Sequence, residues 1–144
     1  MKFTSSLSPN VLLVDDSRDG LLVRRALLEE QGLQVQIAGN GQEGLDLFEQ
    51  FHFDVVVTDY RMPVMTGIEL IRRIREKKPY ARVVLLSGVA EPLGLTEENT
   101  GADAVIAKNS NEPAHLIRWV KRLINRAPRK PAGSQSRMAV RARA

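Results

Sequence analysis

A short valine run that stops at an aspartate constrains the fold of this chain most strongly. Residues 55–57 are three valines, an apolar β-branched run typical of a strand that is buried on both faces. The run ends at Asp59, and Met62-Pro63 shortly afterwards requires a loop. In an open parallel α/β sheet, ligands bind in the crevice outside the carboxyl ends of the strands. Asp59 is therefore predicted to lie in such a crevice.

Four other strand-like segments alternate with segments of helical period. The strands are predicted at residues 11–14, 35–37, 82–86 and 104–107, and the helical segments at residues 17–31, 44–51, 67–74 and 116–123. Pro92 and Gly94 limit any helix within residues 91–100 to a short one. Five strands alternating with helices predict an α/β fold with a parallel sheet covered on both faces. We expect the flavodoxin-like (βα)5 arrangement, with strand order 2-1-3-4-5.

The helical segments also predict which side chains face the core. Val23 and Leu27 lie one turn apart and are predicted to form the inner face of the first helix. Arg72, Arg73 and Arg75 are predicted to form the solvated face of the third. The last helix is predicted to begin at a cap formed by Ser110 or Asn111.

The net charge of +4 is unevenly distributed along the chain. Residues 126–144 hold six Lys or Arg and no acid, so subtracting these six from +4 leaves −2 on residues 1–125. The tail also mixes proline, glycine and serine, and cannot bury a core. We therefore predict a flexible arm at residues 1–9, one globular domain at residues 10–125 and a basic, disordered tail at residues 126–144.

Composition excludes several kinds of site. The chain has no cysteine and only two histidines, His52 and His115, which excludes disulfides, thiolate metal sites and a histidine-ligated zinc site. Any metal should be a hard cation bound by oxygen. No apolar run approaches the ~20 residues of a membrane span, and no signal-peptide core follows the N-terminus. We expect a soluble, cytoplasmic protein.

Polar side chains follow four of the five predicted strands. Asp15 and Asp16 follow the first strand, Asp59 ends the third, Ser87 ends the fourth and Lys108 follows the fifth. These side chains should converge, because the carboxyl ends of parallel strands share one edge. Two like charges 4 Å apart repel by about 4 kcal/mol at an effective dielectric near 20. A divalent cation and the lysine would offset this repulsion, and few carboxylates with open water positions suit Mg²⁺.

This set of groups suits phosphoryl transfer. An ordinary aspartate such as Asp59 is ionised at pH 7 and is a nucleophile that needs no base. Phosphoryl transfer requires positioning and charge neutralisation more than covalent machinery. Mg²⁺, the Lys108 ammonium and the Ser87 hydroxyl are suitable groups to surround phosphoryl oxygens.

Residues 10–125 resemble the receiver domain of two-component response regulators. The matching residues are Asp15-Asp16, Asp59-Tyr60-Arg61-Met62-Pro63 with Gly67, Ser87-Gly88, and Gly101-Ala102-Asp103 leading to Lys108. Four segments match in order and at separations similar to those of the family. The resemblance implies a single-domain response regulator that takes a phosphoryl group from a phosphohistidine of a sensor kinase or phosphotransfer protein. It implies a switch that controls a partner, with a phosphorylation-linked homodimer as a family expectation.

The resemblance also implies a role for each site residue. Asp59 would accept the phosphoryl group, and Asp16 and Asp59 would bind Mg²⁺ directly together with the Arg61 backbone carbonyl. Asp15 would bind the metal mainly through water. Lys108 would contact the phosphoryl group. The Ser87 hydroxyl would move in to form a hydrogen bond with the phosphoryl group, and this movement is the family's switch.

Three positions depart from the family pattern. The family usually has a proline with a cis bond after the lysine, and here Asn109 stands there, so we expect a trans bond. Val105 replaces the switch aromatic of the fifth strand, so we expect the signal to run through residues 88–100 instead. Arg61 stands where the family's side chain tunes the lifetime of the phosphate, and the sequence leaves the direction of its effect open.

Three other functions compete with this interpretation. Asn109 and Val105 favour a pseudo-receiver, an interaction module that keeps the fold without being phosphorylated. The basic tail favours nucleic-acid contact, but it has no interleaved aromatics and no recognition helix, so we expect a linker. A Mg²⁺-dependent phosphohydrolase would need a second acid placed as general acid near Asp59, and none is evident. We expect a protein that catalyses its own phosphorylation chemistry and is not a metabolic enzyme.

Overall fold

The computed structural model describes residues 8–88 and 94–126, which form one parallel sheet with helices on both faces. In chain order the elements are β1 (Asn10–Val14), α1 (Arg18–Glu29), β2 (Gln34–Ala38), α2 (Gly41–Gln50), β3 (Val55–Asp59), α3 (Gly67–Lys77), β4 (Val83–Ser87), α4 (Glu97–Thr100), β5 (Ala104–Ala107) and α5 (Glu112–Asn125). The five strands lie in the order 2-1-3-4-5, and every neighbouring pair is parallel. The predicted flavodoxin-like arrangement is confirmed.

The sheet separates two apolar layers, and side chains along each strand alternate between them. On one face, Val11 and Leu13 of β1 pack in the cluster that includes buried residues of α1 and α5. On the other face, Leu12 and Val14 pack with buried residues of α2 and α3. All five residues of β3 are buried, so this strand lies at the centre of both layers.

Side-chain caps explain where three helices begin. Ser17, Asn40 and Thr66 each accept a hydrogen bond from a backbone amide in the first turn of α1, α2 and α3, respectively. α5 differs from the prediction, because Asn111 occupies the N-cap position without a side-chain capping bond. Its first residues are Glu112 and Pro113, and a proline at this point is already set for the helical φ angle.

The helix within residues 91–100 is short, as predicted. α4 has four residues, and Thr96 and Asn99 form a reciprocal capping box at its start. Gly101 ends it with φ of 82°, a left-handed conformation that glycine adopts without penalty. Residues 89–93, which include the first three residues of this segment, lie outside the described residues.

The predicted inner face of α1 is wrong in its helical phase. Leu21 and Leu28 are the buried leucines of this helix, whereas Val23 is 60% exposed and Leu27 only partly buried. Leu21 and Leu28 are two turns apart and define the buried stripe. Val23 is two residues away from Leu21, which turns it by about 200° from that stripe. Arg24, three residues after Leu21, lies on the inner side.

The prediction for the arginines of α3 is wrong for Arg75. Arg72 and Arg73 lie on the outer side and form ion pairs with Glu69, as a solvated face would. Arg75 instead donates to the carbonyl oxygens of Gly101 and Ala81 and to the Asp103 carboxylate. Its long side chain reaches backbone carbonyls that precede β4 and β5, and it therefore ties two loops to α3.

The two ends of the chain stay predictions. Residues 1–7 and 127–144 lie outside the described part, and so do nearly all of the predicted arm and tail. The described elements extend from Asn10 to Asn125. Across the residues that the structure describes, no helix is both long enough and apolar enough to cross a membrane.

Candidate functional site

The polar side chains predicted to converge do lie at one edge of the sheet. Asp15 and Asp16 follow β1, Asp59 is the last residue of β3, Ser87 the last of β4, and Lys108 follows β5. One carboxylate oxygen from each of the three aspartates lies within 4.8 Å of the others. The Lys108 ammonium contacts Asp59 Oδ1 directly. Strand topology thus assembles three acids and one base from distant parts of the chain.

The two acids after β1 have different surroundings. Asp15 is buried, and its Oδ1 accepts a hydrogen bond of 3.0 Å from the Ser17 amide. Its own amide donates to the Ala38 carbonyl at 3.1 Å, which extends the β1–β2 ladder by one step. Asp16 is exposed and has no ion pair to any residue in the described part of the chain. Asp16 is therefore open to solvent, whereas Asp15 is held in place.

The loop after Asp59 is fixed by two methionines and a glycine. Met62 and Met65 are buried against the α2–α3 layer, and the Gly67 amide donates to the Tyr60 carbonyl at 2.8 Å. A Cβ on Gly67 would lie 2.2 Å from the Asp59 carbonyl oxygen, so only glycine permits this return of the chain. Arg61 is exposed within this loop. The proposed role of its carbonyl as a metal ligand stays a prediction.

The environment of Asp59 disfavours its charged form on balance. Burial raises the pKa of the Asp59 carboxyl, and the negative charge of Asp15 adds to this effect. The hydrogen bond from Lys108 lowers the pKa, and the charges of Lys108 and Arg24 lower it further, but the net direction is upward. A cation bound at this carboxylate would therefore relieve an existing cost.

β4 lies between the strands that carry Asp59 and Lys108. Ser87 at its end is buried, and its carbonyl accepts a hydrogen bond of 3.2 Å from the Lys108 amide. The next amide, of Asn109, donates to the Ala107 carbonyl at 3.1 Å. The Lys108–Asn109 peptide bond is trans, as predicted. The lysine thus reaches Asp59 without the proline that usually follows it in the family.

Two charged residues beside the site, partly buried Arg24 and buried Glu112, were not predicted from the sequence. Arg24 of α1 donates to Asp15 Oδ2 at 2.9 Å and to both carboxylate oxygens of Glu112, at 2.9 and 3.0 Å. The helical period of the sequence could have revealed both residues. Arg24 interrupts the apolar stripe between Leu21 and Leu28, and Glu112 stands one turn before buried Leu116. A base and an acid that each interrupt an apolar stripe predict a buried pair.

The three aspartates suit a hard divalent cation. Their oxygens lie close enough together to share one ion, and all are carboxylate oxygens of the type that Mg²⁺ prefers. Asp16 faces solvent, so the ion could retain water ligands. Burial raises the pKa of Asp59, so the chain does not fully compensate the negative charge of this one carboxylate. The residues present therefore fit a metal site.

Comparison with known proteins agrees with this geometry. Residues 11–121 match the family model of the response regulator receiver domain. The chain belongs to the response regulator receiver family. It is 39% identical over 98 residues to a response regulator receiver protein of Anaeromyxobacter sp. (strain Fw109-5), a match that covers 67% of this chain and 41% of that protein. It is 33% identical over 108 residues to the aerobic respiration control sensor protein ArcB of Escherichia coli (strain K12), covering 73% of this chain and 14% of ArcB.

Solved receiver structures have the same fold. The Vibrio cholerae chemotaxis protein CheY4 superposes with a TM-score of 0.73 at 28% identity, covering 81% of this chain and 98% of that one. The response regulator TrrA of Thermotoga maritima, solved in complex with Mg²⁺-BeF, superposes with a TM-score of 0.73 at 30% identity, covering 80% of this chain and 98% of that one. These solved structures share the receiver fold of this chain.

The receiver domain makes up only part of some relatives. This chain spans 41% of the length of the Anaeromyxobacter protein and 14% of that of ArcB. Similarity to them therefore establishes the domain and leaves the activity and partners of the whole protein to be proposed.

Proposed function

We propose that this receiver domain is a phosphorylation-dependent switch that accepts a phosphoryl group on Asp59. The observation that supports the proposal best is the setting of Asp59, a buried carboxylate in contact with the Lys108 ammonium and within 4.8 Å of two other acids. A lone buried aspartate would be a poor structural choice. One that is paired with a lysine at the carboxyl end of a strand is suited to phosphoryl chemistry.

The reaction uses the ionised carboxylate as nucleophile. An Asp59 carboxylate oxygen attacks the phosphorus of a phosphohistidine, an O–P bond forms and the P–N bond breaks, with its electron pair passing to the imidazole nitrogen. The product is an acyl phosphate on Asp59. The Lys108 ammonium, already beside Asp59, would lie against the phosphoryl oxygens and offset their charge.

Mg²⁺ is the metal that fits this chemistry. When bound, it supplies positive charge against the phosphoryl oxygens and the three carboxylates. Asp16 and Asp59 would hold it directly together with the Arg61 carbonyl, and Asp15 would hold it mainly through water. Exposed Asp16 is accessible to an incoming ion, and Asp15 is held by Ser17 and Arg24.

The switch is proposed to run from the carboxyl end of β4 through residues 88–100. Phosphorylation adds about −1.5 to −2 charges and three acceptor oxygens, which is enough to recruit a nearby hydroxyl donor. Ser87 stands at the end of β4, next to Gly88 and the segment that leads to α4. Val105 packs against the cluster that holds α3, and its amide donates to Glu97 of α4 at 3.4 Å. This bond offers a physical connection between β5 and α4.

The phosphoryl donor is proposed to be a sensor histidine kinase or a phosphotransfer protein, and the output a change in the binding of a partner protein. We place this exchange in the cytoplasm, and we assign the chain no turnover of a separate substrate. A phosphorylation-linked homodimer belongs to the same proposal. The competing pseudo-receiver would bind its partner without any phosphoryl transfer.

Labelling with a small phosphoryl donor tests the proposal. The full chain would be incubated with phosphoramidate, with and without Mg²⁺, and its intact mass measured alongside Asp59→Asn and Asp46→Asn. Asp46 is an exposed acid of α2 that is not part of the cluster formed by the three aspartates, and it provides the matched control. One phosphoryl adduct that requires Mg²⁺, survives Asp46→Asn and disappears in Asp59→Asn supports the switch. No adduct on the wild-type chain would favour the pseudo-receiver.

A further inference from the structure

Arg24 lies almost buried between two carboxylates from opposite ends of the described chain. Its side chain is 12% exposed, and those of Asp15 and Glu112 are 4% and 10% exposed. The Arg24 Nη1 group donates to Asp15, while Nε and Nη2 donate to the two oxygens of Glu112. One guanidinium therefore makes a bidentate pair with the first residue of α5 and a single bond to an acid of the site.

No other side chain could replace the Arg24 guanidinium without loss of charge compensation or of the bidentate pair. Removing the cation would leave two carboxylates buried without compensation. A lysine would present one compact charge and could not reproduce the bidentate fork. Because a buried ion pair adds little net stability compared with a packed apolar pair, its effect lies in fixing the relative position of the groups it joins.

The segment between Lys108 and Glu112 depends on anchors at its two ends. Residues 109–111 are exposed, and their hydrogen bonds are mostly local. Asn111 donates to the Asn109 side chain at 2.9 Å, and Glu112 donates to the Asn109 carbonyl at 3.0 Å. The N-cap residue of α5 makes no side-chain capping bond. At one end the segment is fixed by the Lys108 amide on Ser87, and at the other by Glu112 on Arg24.

We propose that Arg24 is a positioning residue for phosphoryl transfer. It pins the start of α5 to α1 through Glu112, and it thereby holds the 109–111 segment so that the Lys108 ammonium reaches Asp59. Its third contact holds the Asp15 carboxylate in the same unit. The inference rests on the proposed function, since it assigns Arg24 a role in that reaction, and Arg24 itself does not contact the reacting atoms.

Glu112→Gln is the most direct test, because it retains shape and one acceptor but removes the charge that holds Arg24. Arg24 would keep its bond to Asp15, so the Mg²⁺ affinity, measured by calorimetric titration, should stay within about twofold. The maximal rate of labelling by phosphoramidate at saturating Mg²⁺ should fall about tenfold or more, because a small displacement of a reacting group is costly. The phosphoramidate concentration at half-maximal rate should change little.

A second measurement reports on the segment without any reaction. Hydrogen exchange of the amides of Asn109, Asn111 and Glu112 should accelerate in Glu112→Gln, while that of the β3 amides should not. Arg24→Lys should likewise lower the maximal labelling rate and accelerate exchange of these amides. It provides a second variant if Glu112→Gln fails to fold. Glu98→Gln, a change at an exposed glutamate in the first turn of α4, is the matched control and should alter neither.

The outcomes separate this inference from the proposed function. If folded Glu112→Gln and Arg24→Lys are labelled at the same maximal rate as the wild-type chain, the proposed role of Arg24 is overturned. The proposed function is not affected by that result. Faster exchange at residues 109–112 with unchanged rates also overturns it, because Lys108 would then not depend on this anchor. A uniform rise in exchange with weakened Mg²⁺ binding points to general destabilisation and contradicts it. A wild-type chain that is not labelled overturns the proposed function, and the role of Arg24 in it as well.

Discussion

The Lys108 ammonium contacts the Asp59 carboxylate across the end of a whole strand. β3 ends at Asp59, β5 ends one residue before Lys108, and β4 lies between them. The side chain of Lys108 is long enough to span β4 and reach Asp59. This contact is the clearest physical reason to place phosphoryl chemistry at Asp59, and it yields the first prediction.

Lys108→Ala should slow phosphorylation of Asp59 by about 10²-fold at saturating Mg²⁺, the usual loss when one preorganised donor to a developing anion is removed. The rate would be measured as adduct formation from phosphoramidate. Mg²⁺ affinity should rise, because a competing positive charge beside the acids has been removed. Lys121→Ala, an exposed lysine of α5, serves as the control and should leave both quantities unchanged. A labelling rate in Lys108→Ala equal to that of Lys121→Ala would contradict the assigned role.

Asp59→Asn should stabilise the chain at pH 7 in the absence of Mg²⁺. Burial raises the pKa of Asp59 in the folded state above its unfolded value, so the folded state binds the proton more tightly. The associated stability is fully present below the unfolded pKa and is lost as pH rises through the folded pKa. The wild-type chain carries that loss at pH 7, whereas the asparagine variant does not.

Urea unfolding at pH 7 and again in mildly acidic buffer measures this difference. The gap between Asp59→Asn and wild type should narrow as pH falls towards the ordinary aspartate pKa, and Asp46→Asn should show no such trend. A variant less stable than wild type at pH 7 would show that the Lys108 contact outweighs the burial of Asp59.

Val64→Asn should raise the free energy of unfolding by about 1 kcal/mol, because a non-glycine residue in the left-handed region is strained. Val64 has φ of 71° and is fully exposed in the loop after Asp59, so valine loses no packing when replaced. A β-branched residue tolerates this conformation poorly, and asparagine adopts it more readily. Strain of this kind often marks functional loops.

Val23→Asn is the matched control for that prediction. Val23 is also a largely exposed valine, but it lies within α1 and does not have a positive φ. Its replacement should bring no gain in stability by urea unfolding. Equal effects at the two positions would argue that exposure, and not backbone strain, sets the result.

Gly67→Ala should destabilise the fold by about 2 kcal/mol or more, because the added methyl group meets backbone that cannot yield cheaply. The new carbon would lie 2.2 Å from the Asp59 carbonyl and 2.8 Å from Leu85. Displacing the end of β3 should also slow labelling of Asp59. Gly88→Ala, where a Cβ would meet nothing within 4 Å, should be neutral or slightly stabilising by thermal unfolding. Similar melting temperatures for the two variants would contradict the packing argument.

The fold and the convergence of Asp15, Asp59 and Lys108 could be predicted from sequence for a single reason. Each buried strand is a continuous apolar run that stops abruptly at a polar residue, so strand ends can be located to within a residue. In a parallel sheet those ends must lie together. The alternation of strands with helices then restricts the topology to a few possibilities.

The phase of α1 and the partners of its charged residues could not be predicted in the same way. Val23 and Leu27 are one turn apart, and Leu21 and Leu28 are two turns apart, so both pairs fit a helical period. The hydrophobic period alone therefore does not show which pair faces the core. Arg24 faces inward because Asp15 and Glu112 compensate its charge, and these partners are nine and 88 residues away in sequence. Such a compensation is visible only after α1 and α5 are placed side by side.

Chemical trapping of the phosphorylated residue would show directly whether Asp59 accepts the phosphoryl group. The chain would be labelled with phosphoramidate and Mg²⁺, reduced with borohydride, which converts an acyl phosphate to an alcohol, and mapped by peptide mass spectrometry. We expect one reduced residue, Asp59, in a reaction that requires Mg²⁺ and is slowed in Lys108→Ala. Reduction at Asp15 or Asp16, or no reduced residue at all, would contradict it.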